Sequence, residues 1–121
     1  MNNYILDTNI LVYFFEGNSA AGKIIKNEEF IISAISYIEI LSNPGYSKIQ
    51  RIIAKDFLNT KQIIHSSPAI CDLAIQIRLN YKCKLPDALI ASTAQFMQLP
   101  LITADTLLLK IKGIEVIKFQ K

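Results

Sequence analysis

Short, wholly apolar runs alternate along the chain with segments whose apolar residues recur every three or four positions, and no other feature narrows its fold as much. Tyr4-Ile5-Leu6 ends in Asp7-Thr8-Asn9, after which Ile10, Leu11, Tyr13 and Phe14 keep helical spacing up to Glu16-Gly17-Asn18. Ser19 can cap a second helix through Lys26, and Phe30-Ile31-Ile32-Ser33 reads as a buried strand. Ser36 and Glu39 have capping-box spacing and open a third helix that Asn43-Pro44-Gly45 must end. Ser47 and Gln50 repeat that signature for a helix to about Leu58, with Ile49, Ile52, Ile53 and Phe57 on its apolar side. Ile63-Ile64 is a candidate strand, and Ser66-Ser67-Pro68 starts a helix in which Ile70, Leu73, Ala74 and Ile77 form the buried stripe. Pro86 suits the first turn of a helix from Asp87 to Met97, and Leu101-Ile102-Thr103 is a strand ending near Asp105. A short turn of leucines, Gly113 and a strand through Val116-Ile117 complete the pattern. Such alternation predicts an α/β domain whose mostly parallel sheet is covered on both faces.

With 121 residues, one domain over 1–121 is expected, and 51% hydrophobic against 19% charged residues excludes a disordered chain. The apolar run Ile10 to Phe15 falls far short of the ~20 residues that cross a bilayer. Asp7 interrupts the early apolar region and no Lys or Arg precedes it, so no membrane association and a cytoplasmic location are expected. Cys71 and Cys83 lack any CxxC pattern and His65 is the one histidine, which argues against a zinc site.

In sheets of this kind the site lies beyond the carboxyl ends of the strands, which selects Asp7 and Asp105, each just after a strand. Placing the first strand beside the one ending at Thr103 would set both acids along one edge. Glu39 follows the second strand by a helical turn, and Asp87 opens the helix that leads into the fourth. Four carboxylates converging there repel one another unless a cation neutralises them, and oxygen donors favour Mg²⁺ or Mn²⁺. Each acid also has a plainer reading: Asp7 as a helix cap, Glu39 as the third residue of a capping box with Ser36, Asp87 as partner of a helix dipole, Asp105 as a turn residue.

The net charge of +3 names no partner, but setting those four acids aside leaves six acidic against 13 basic side chains. A neutralised acidic pocket on a basic surface suits a polyanion gripped through its phosphates. Lys48, Arg51 and Lys55 follow one another along one helix face, and Lys82 and Lys84 flank the loop before Asp87; a solvated helix face is the alternative for the first set.

Taken in order, Tyr4-Ile5-Leu6-Asp7-Thr8-Asn9, Ser36-Tyr37-Ile38-Glu39, Leu85-Pro86-Asp87-Ala88-Leu89-Ile90-Ala91-Ser92-Thr93-Ala94 and Leu101-Ile102-Thr103-Ala104-Asp105 resemble the PIN-domain ribonucleases, particularly the VapC-type toxins of toxin–antitoxin pairs. The resemblance implies a three-layer α/β/α domain around a mostly parallel five-stranded sheet, and a metal-dependent endoribonuclease. It implies that Asp7, Glu39, Asp87 and Asp105 bind one or two Mg²⁺ or Mn²⁺ ions and carry catalysis, while Asn9 and Thr103 orient those carboxylates. It further implies RNA as substrate, a small antitoxin as partner, and a homodimer. Many relatives carry a further acid three residues after the position of Asp105, where this chain has Leu108. That departure leaves the number of ions open and keeps a second reading in view, a catalytically inactive module of the same fold that binds RNA or protein. A phosphatase of the haloacid-dehalogenase type would want a second Asp where Asn9 stands, and a receiver would want paired acids before the first helix; neither is present.

Overall fold

The computed structural model describes residues 3–121. Five strands, β1 (Asn3–Leu6), β2 (Glu29–Ser33), β3 (Gln62–Ile64), β4 (Leu101–Thr103) and β5 (Val116–Lys118), form one sheet in the order β3-β2-β1-β4-β5 with every pairing parallel. Six helices connect them: α1 (Thr8–Phe15), α2 (Ser19–Asn27), α3 (Ala34–Leu41), α4 (Lys48–Leu58), α5 (Pro68–Tyr81) and α6 (Leu85–Met97), with a 3-10 turn over Thr106–Lys110.

Successive strand residues point to opposite faces, and two separate cores result. Ile5, Ile31 and Leu101 pack with Ala74 and Ile77 of α5 and Ala88 and Ala91 of α6. Leu6, Ile32 and Ile102 pack on the other face with Ile10 and Leu11 of α1, Ile25 of α2, and Ala54 and Leu58 of α4. This is the three-layer α/β/α arrangement expected from the alternation.

The chain moves outward from β1 through β2 to β3, then crosses back to place β4 on the other side of β1. The strand order therefore reverses between β1 and β2 on one side and β4 on the other, and in open α/β sheets ligands bind beyond the carboxyl ends of strands at such a switch.

Three local expectations change. The third helix begins at Ala34, not after Ser36: β2 runs straight into it and Ser33, its N-cap, accepts from the Ile35 N–H. Ser36 is therefore inside the first turn and fully buried, and the Ser36–Glu39 capping box does not form. In the second helix Asn18, rather than Ser19, is the cap, its side chain accepting from the Ala21 N–H. The Ser47–Gln50 box on α4 is present, but that helix buries Ala54 and Leu58 while Ile49 (70% exposed), Ile52 and Ile53 face outward. The buried side is the one on which Ala54 and Leu58 enter the core, and Arg51, one turn before Ala54, donates to the carbonyls of Leu41 and Asn43.

Candidate active site

Asp7 is the first residue past the central strand. Its N–H donates to the Ile102 carbonyl at 2.9 Å, which holds it against β4. Its extended backbone ends β1 and caps α1, with Oδ1 accepting from the Thr8 N–H at 2.8 Å. The other oxygen, Oδ2, accepts from Thr103 Oγ1 at 2.6 Å. Capping and a role in the site are thus compatible, because a carboxylate has lone pairs for more than two donors. The side chain is almost wholly buried, and burial pushes its pKa up to about 6, with repulsion from Asp87 and Asp105 adding and the bonds from Thr103 and Thr8 opposing.

Asp87 enters from the opposite layer. α5 ends at Lys82, whose left-handed backbone (φ 54°) turns the chain, and α6 starts at Leu85 with Pro86 and Asp87 in its first turn. Half-buried, Asp87 also has its pKa raised, by burial first and then by the charges of Asp105 and Glu39, while Lys84 opposes the rise. Of the four acids singled out in the sequence, Asp87 is therefore within electrostatic reach of Asp7, Asp105 and Glu39, and Asp7 of Asp105.

Asp105, just after β4, and Glu39, in the helix that follows β2, complete the group. Asp105 caps the 3-10 turn, Oδ1 accepting from the Leu107 N–H at 2.9 Å, and its own N–H donates to Thr103 Oγ1 at 2.9 Å. Thr103 thus joins Asp7 to Asp105 through one hydroxyl. Glu39 is exposed on α3 and accepts from Thr8 Oγ1 at 2.6 Å. Asn9 behaves differently from the expectation that it orients a carboxylate: its Oδ1 accepts from the Ala104 N–H at 3.4 Å and so steadies the turn before Asp105.

The sequence profile described as PIN domain matches residues 4–114. The chain belongs to the PIN domain family. Among solved structures, one similar to it is a toxin–antitoxin complex from Klebsiella pneumoniae, with TM-score 0.84, 32% identity, and coverage of 95% of this chain and 96% of that one. A VapBC2 structure from Rickettsia felis bound to a promoter DNA fragment has TM-score 0.82 and 24% identity, covering 98% and 99%. VapBC-1 from nontypeable Haemophilus influenzae has TM-score 0.79 and 22% identity, covering 96% and 97%. The last two speak to the fold alone. No curated protein is matched by the chain.

The donors of this PIN domain fit a hard divalent cation in kind: they are all carboxylate oxygens, and at Asp7 and Asp87 the charged form is opposed by burial and by like charge. They do not form a ready cage. Among the described residues no three His, Cys, Asp or Glu side chains stand together as a metal-holding group, and Asp105 and Glu39 each give an oxygen to a protein donor.

Of the basic residues, Lys82 and Lys84 are exposed on the turn leading to Asp87, and Lys48 and Lys55 are exposed on α4. Arg51 leaves the proposed track. Its Nε donates to the Leu41 carbonyl at 2.9 Å and its Nη2 to those of Asn43 and Tyr46 at 3.1 and 3.3 Å, so its charge closes the α3–α4 loop instead of facing solvent. Leu108, where many relatives carry an acid, is fully buried in the α5–α6 core, so that position faces away from any ligand. Two residues named in the sequence motifs were given no place in the site. Thr8 and Ser36 join hydroxyls at 2.9 Å beside Glu39, and the one available signal was that Ser36 precedes Glu39 by a single helical turn. A separate hollow of about 560 Å³ lies at the other end of the sheet, between Leu73, Gln98, Pro100 and Glu115, away from these acids.

No helix among the described residues is long and apolar enough to cross a membrane.

Proposed function

We propose that this PIN domain is a metal-dependent endoribonuclease and the toxin half of a toxin–antitoxin pair. PIN domains are generally nucleases, and the relative at 32% identity is from a toxin–antitoxin complex. The observation that carries the catalytic reading is Asp7: a carboxylate buried at the strand-order switch, with its pKa pushed up to about 6 and two further aspartates adding to the repulsion. A fold does not retain such a cluster for stability, because each like charge works against the folded state.

In this reading Asp7, Asp87 and Glu39 hold Mg²⁺ or Mn²⁺, and Asp105 completes or orients the set. A bound ion of that kind lowers the pKa of a water and offsets charge on the departing oxygen. The residues do the rest. Thr103, donating to Asp7 and accepting from the Asp105 N–H, keeps the two aspartates in register across β1 and β4. Asn9 steadies the Ala104 peptide that carries Asp105. Lys82 and Lys84, beside the first turn of α6, hold the RNA phosphates, with Lys48 and Lys55 as outlying contacts. The net reaction is addition of water across the phosphodiester: a water oxygen bonds to phosphorus, the bond to one ribose oxygen breaks, and the proton that the water gives up balances the one that the departing oxygen takes up. No histidine is needed, and His65 sits exposed after the edge strand β3. A small antitoxin, a homodimeric assembly and a cytoplasmic location belong to the same proposal.

The test uses the purified chain, freed of co-purifying inhibitor, on total cellular RNA with Mn²⁺, Mg²⁺ or EDTA, followed by mapping of new 5′ ends. Ends that need both the metal and Asp87 support the proposal. A folded protein that binds RNA but cuts none under any condition supports the inactive binding module instead.

A further inference from the structure

The hydroxyls of Thr8 and Ser36 form a chain with a fixed direction, and it ends on Glu39. Thr8 Oγ1 stands 2.6 Å from Glu39 Oε1 and 2.9 Å from Ser36 Oγ. A carboxylate can only accept, so the single Thr8 proton is committed to Glu39. Ser36 must then donate to Thr8 Oγ1, giving the order Ser36 to Thr8 to Glu39. Ser36 is fully buried in the first turn of α3, so the fixed end of the chain is anchored in the fold, while Glu39 is exposed and would otherwise sample several rotamers. Thr8 also gives its N–H to Asp7 Oδ1 at 2.8 Å. One residue thus touches the carboxylate that ends β1 and the carboxylate that projects from α3, two acids 32 positions apart in sequence (39 − 7).

We infer that Thr8 is a positioning residue, oriented by Ser36, that holds the Glu39 carboxylate in place relative to Asp7 for binding the divalent ion. This rests on the proposed function. Its logic is that of an outer partner fixing a metal ligand: the hydroxyl engages one of the two Glu39 oxygens and removes the entropy of an exposed glutamate before the ion arrives. Without it, Glu39 must be ordered at the moment of binding, and affinity falls although no ligand has been removed.

The experiment is titration of the metal-free chain with Mn²⁺, following free Mn²⁺ by electron paramagnetic resonance, so that the readout is binding and not turnover. Thr8→Val keeps the shape of the side chain and deletes the hydroxyl; the expected result is a loss of Mn²⁺ affinity of ~10-fold or more. Thr8→Ser, which keeps the hydroxyl, recovers most of that loss. Ser36→Ala leaves Thr8 in place without its donor and gives a smaller loss in the same direction. The decisive comparison is a cycle with Glu39→Ala, which removes the acceptor altogether: if Thr8 acts through Glu39, the Thr8→Val penalty shrinks to near nothing in that background. Three outcomes overturn the inference: Thr8→Val binding as tightly as the parent chain, Thr8→Ser losing as much as Thr8→Val, or an undiminished penalty in the Glu39→Ala background. A folded parent chain that binds no Mn²⁺ overturns the proposed function and this inference with it, whereas any of those three outcomes in a chain that does bind Mn²⁺ overturns the inference alone. Should Thr8→Val fail to fold, the Ser36→Ala and Glu39→Ala cycle decides in its place, with unfolding curves establishing that each variant is native.

Discussion

Replacing Asp7 with Asn should make the metal-free protein more stable at neutral pH while removing its ability to hold the ion. The raised pKa of Asp7 means that the folded state holds its proton more tightly than the unfolded chain does. Below about pH 4 both states are protonated and no penalty exists; between about pH 4 and 6 the unfolded chain ionises first, and stability falls as pH rises. Above about pH 6 the penalty is complete. A rise from an ordinary 3.8 to about 6 corresponds to ~3 kcal/mol at ~1.4 kcal/mol per pH unit, and the near-complete burial of Asp7 leaves little solvent to screen it. Asparagine avoids the charge but cannot reproduce both acceptors: its oxygen can serve the Thr8 N–H, whereas its NH₂ meets Thr103 Oγ1, whose proton then loses its acceptor. That costs ~1 kcal/mol, so the net expectation at about pH 7.5 is a gain of ~2 kcal/mol. Urea unfolding in EDTA from about pH 4.5 to 8 measures it: the parent chain should lose stability up to just above about pH 6 and then level off, and Asp7→Asn should lose distinctly less over the same interval. Mn²⁺ should then stabilise the parent chain and leave the variant unchanged. An Asp7→Asn variant less stable than the parent at neutral pH, or one with the same pH slope, would refute the claim that this carboxylate is held against its own charge.

Asp87→Asn should raise the urea midpoint in EDTA at neutral pH, because burial and the charges of Asp105 and Glu39 oppose its ionised form, and should lower kcat for metal-dependent RNA cleavage by ~100-fold or more, read by gel or end mapping. Arg51→Ala should cost ~2–3 kcal/mol in urea unfolding, because three backbone carbonyls of the α3–α4 loop lose a charged donor, whereas Lys48→Ala on the same helix should change stability by less than ~0.5 kcal/mol. Ile53→Ser should also stay within ~0.5 kcal/mol in the isolated chain, since that side chain is 60% exposed. Leu108→Asp should not supply the acid that many relatives carry; the position is fully buried in the core, and a loss of at least ~3 kcal/mol by calorimetry or urea is expected.

The order of strands and helices was legible because each element carries its own period, and Asp7 and Asp105 could be chosen because the sheet topology fixes which strand ends face a ligand. The pairing of β1 with β4, on which their meeting depends, was a supposition in the sequence and is set by the long crossover through α5 and α6 that the structure shows. What stayed hidden depended on contacts between distant segments. Ser33 and Ser36 both have the chemistry of a cap, and only the direct passage of β2 into α3 decides between them. Arg51 sits at helical spacing from Lys48 and Lys55, yet it donates to the carbonyls of Leu41, Asn43 and Tyr46, while Ile49 and Ile53 stand exposed on the same helix, a facing that only the packing of Ala54 and Leu58 decides. Thr8 stood beside Asp7 in the sequence, but its link to Glu39 spans β2 and part of α3 and leaves no local mark.

The most direct test of the central claim is the chemistry of the first-formed RNA ends, examined with metal present in water enriched in heavy oxygen. Attack by water guided by the carboxylate-held ion predicts linear phosphate monoesters carrying one solvent oxygen, absent with EDTA and absent for Asp87→Asn. First-formed 2′,3′-cyclic phosphates, produced without metal and undiminished in Asp87→Asn, would mean that the neighbouring ribose hydroxyl is the nucleophile and that the acidic cluster does not drive the reaction.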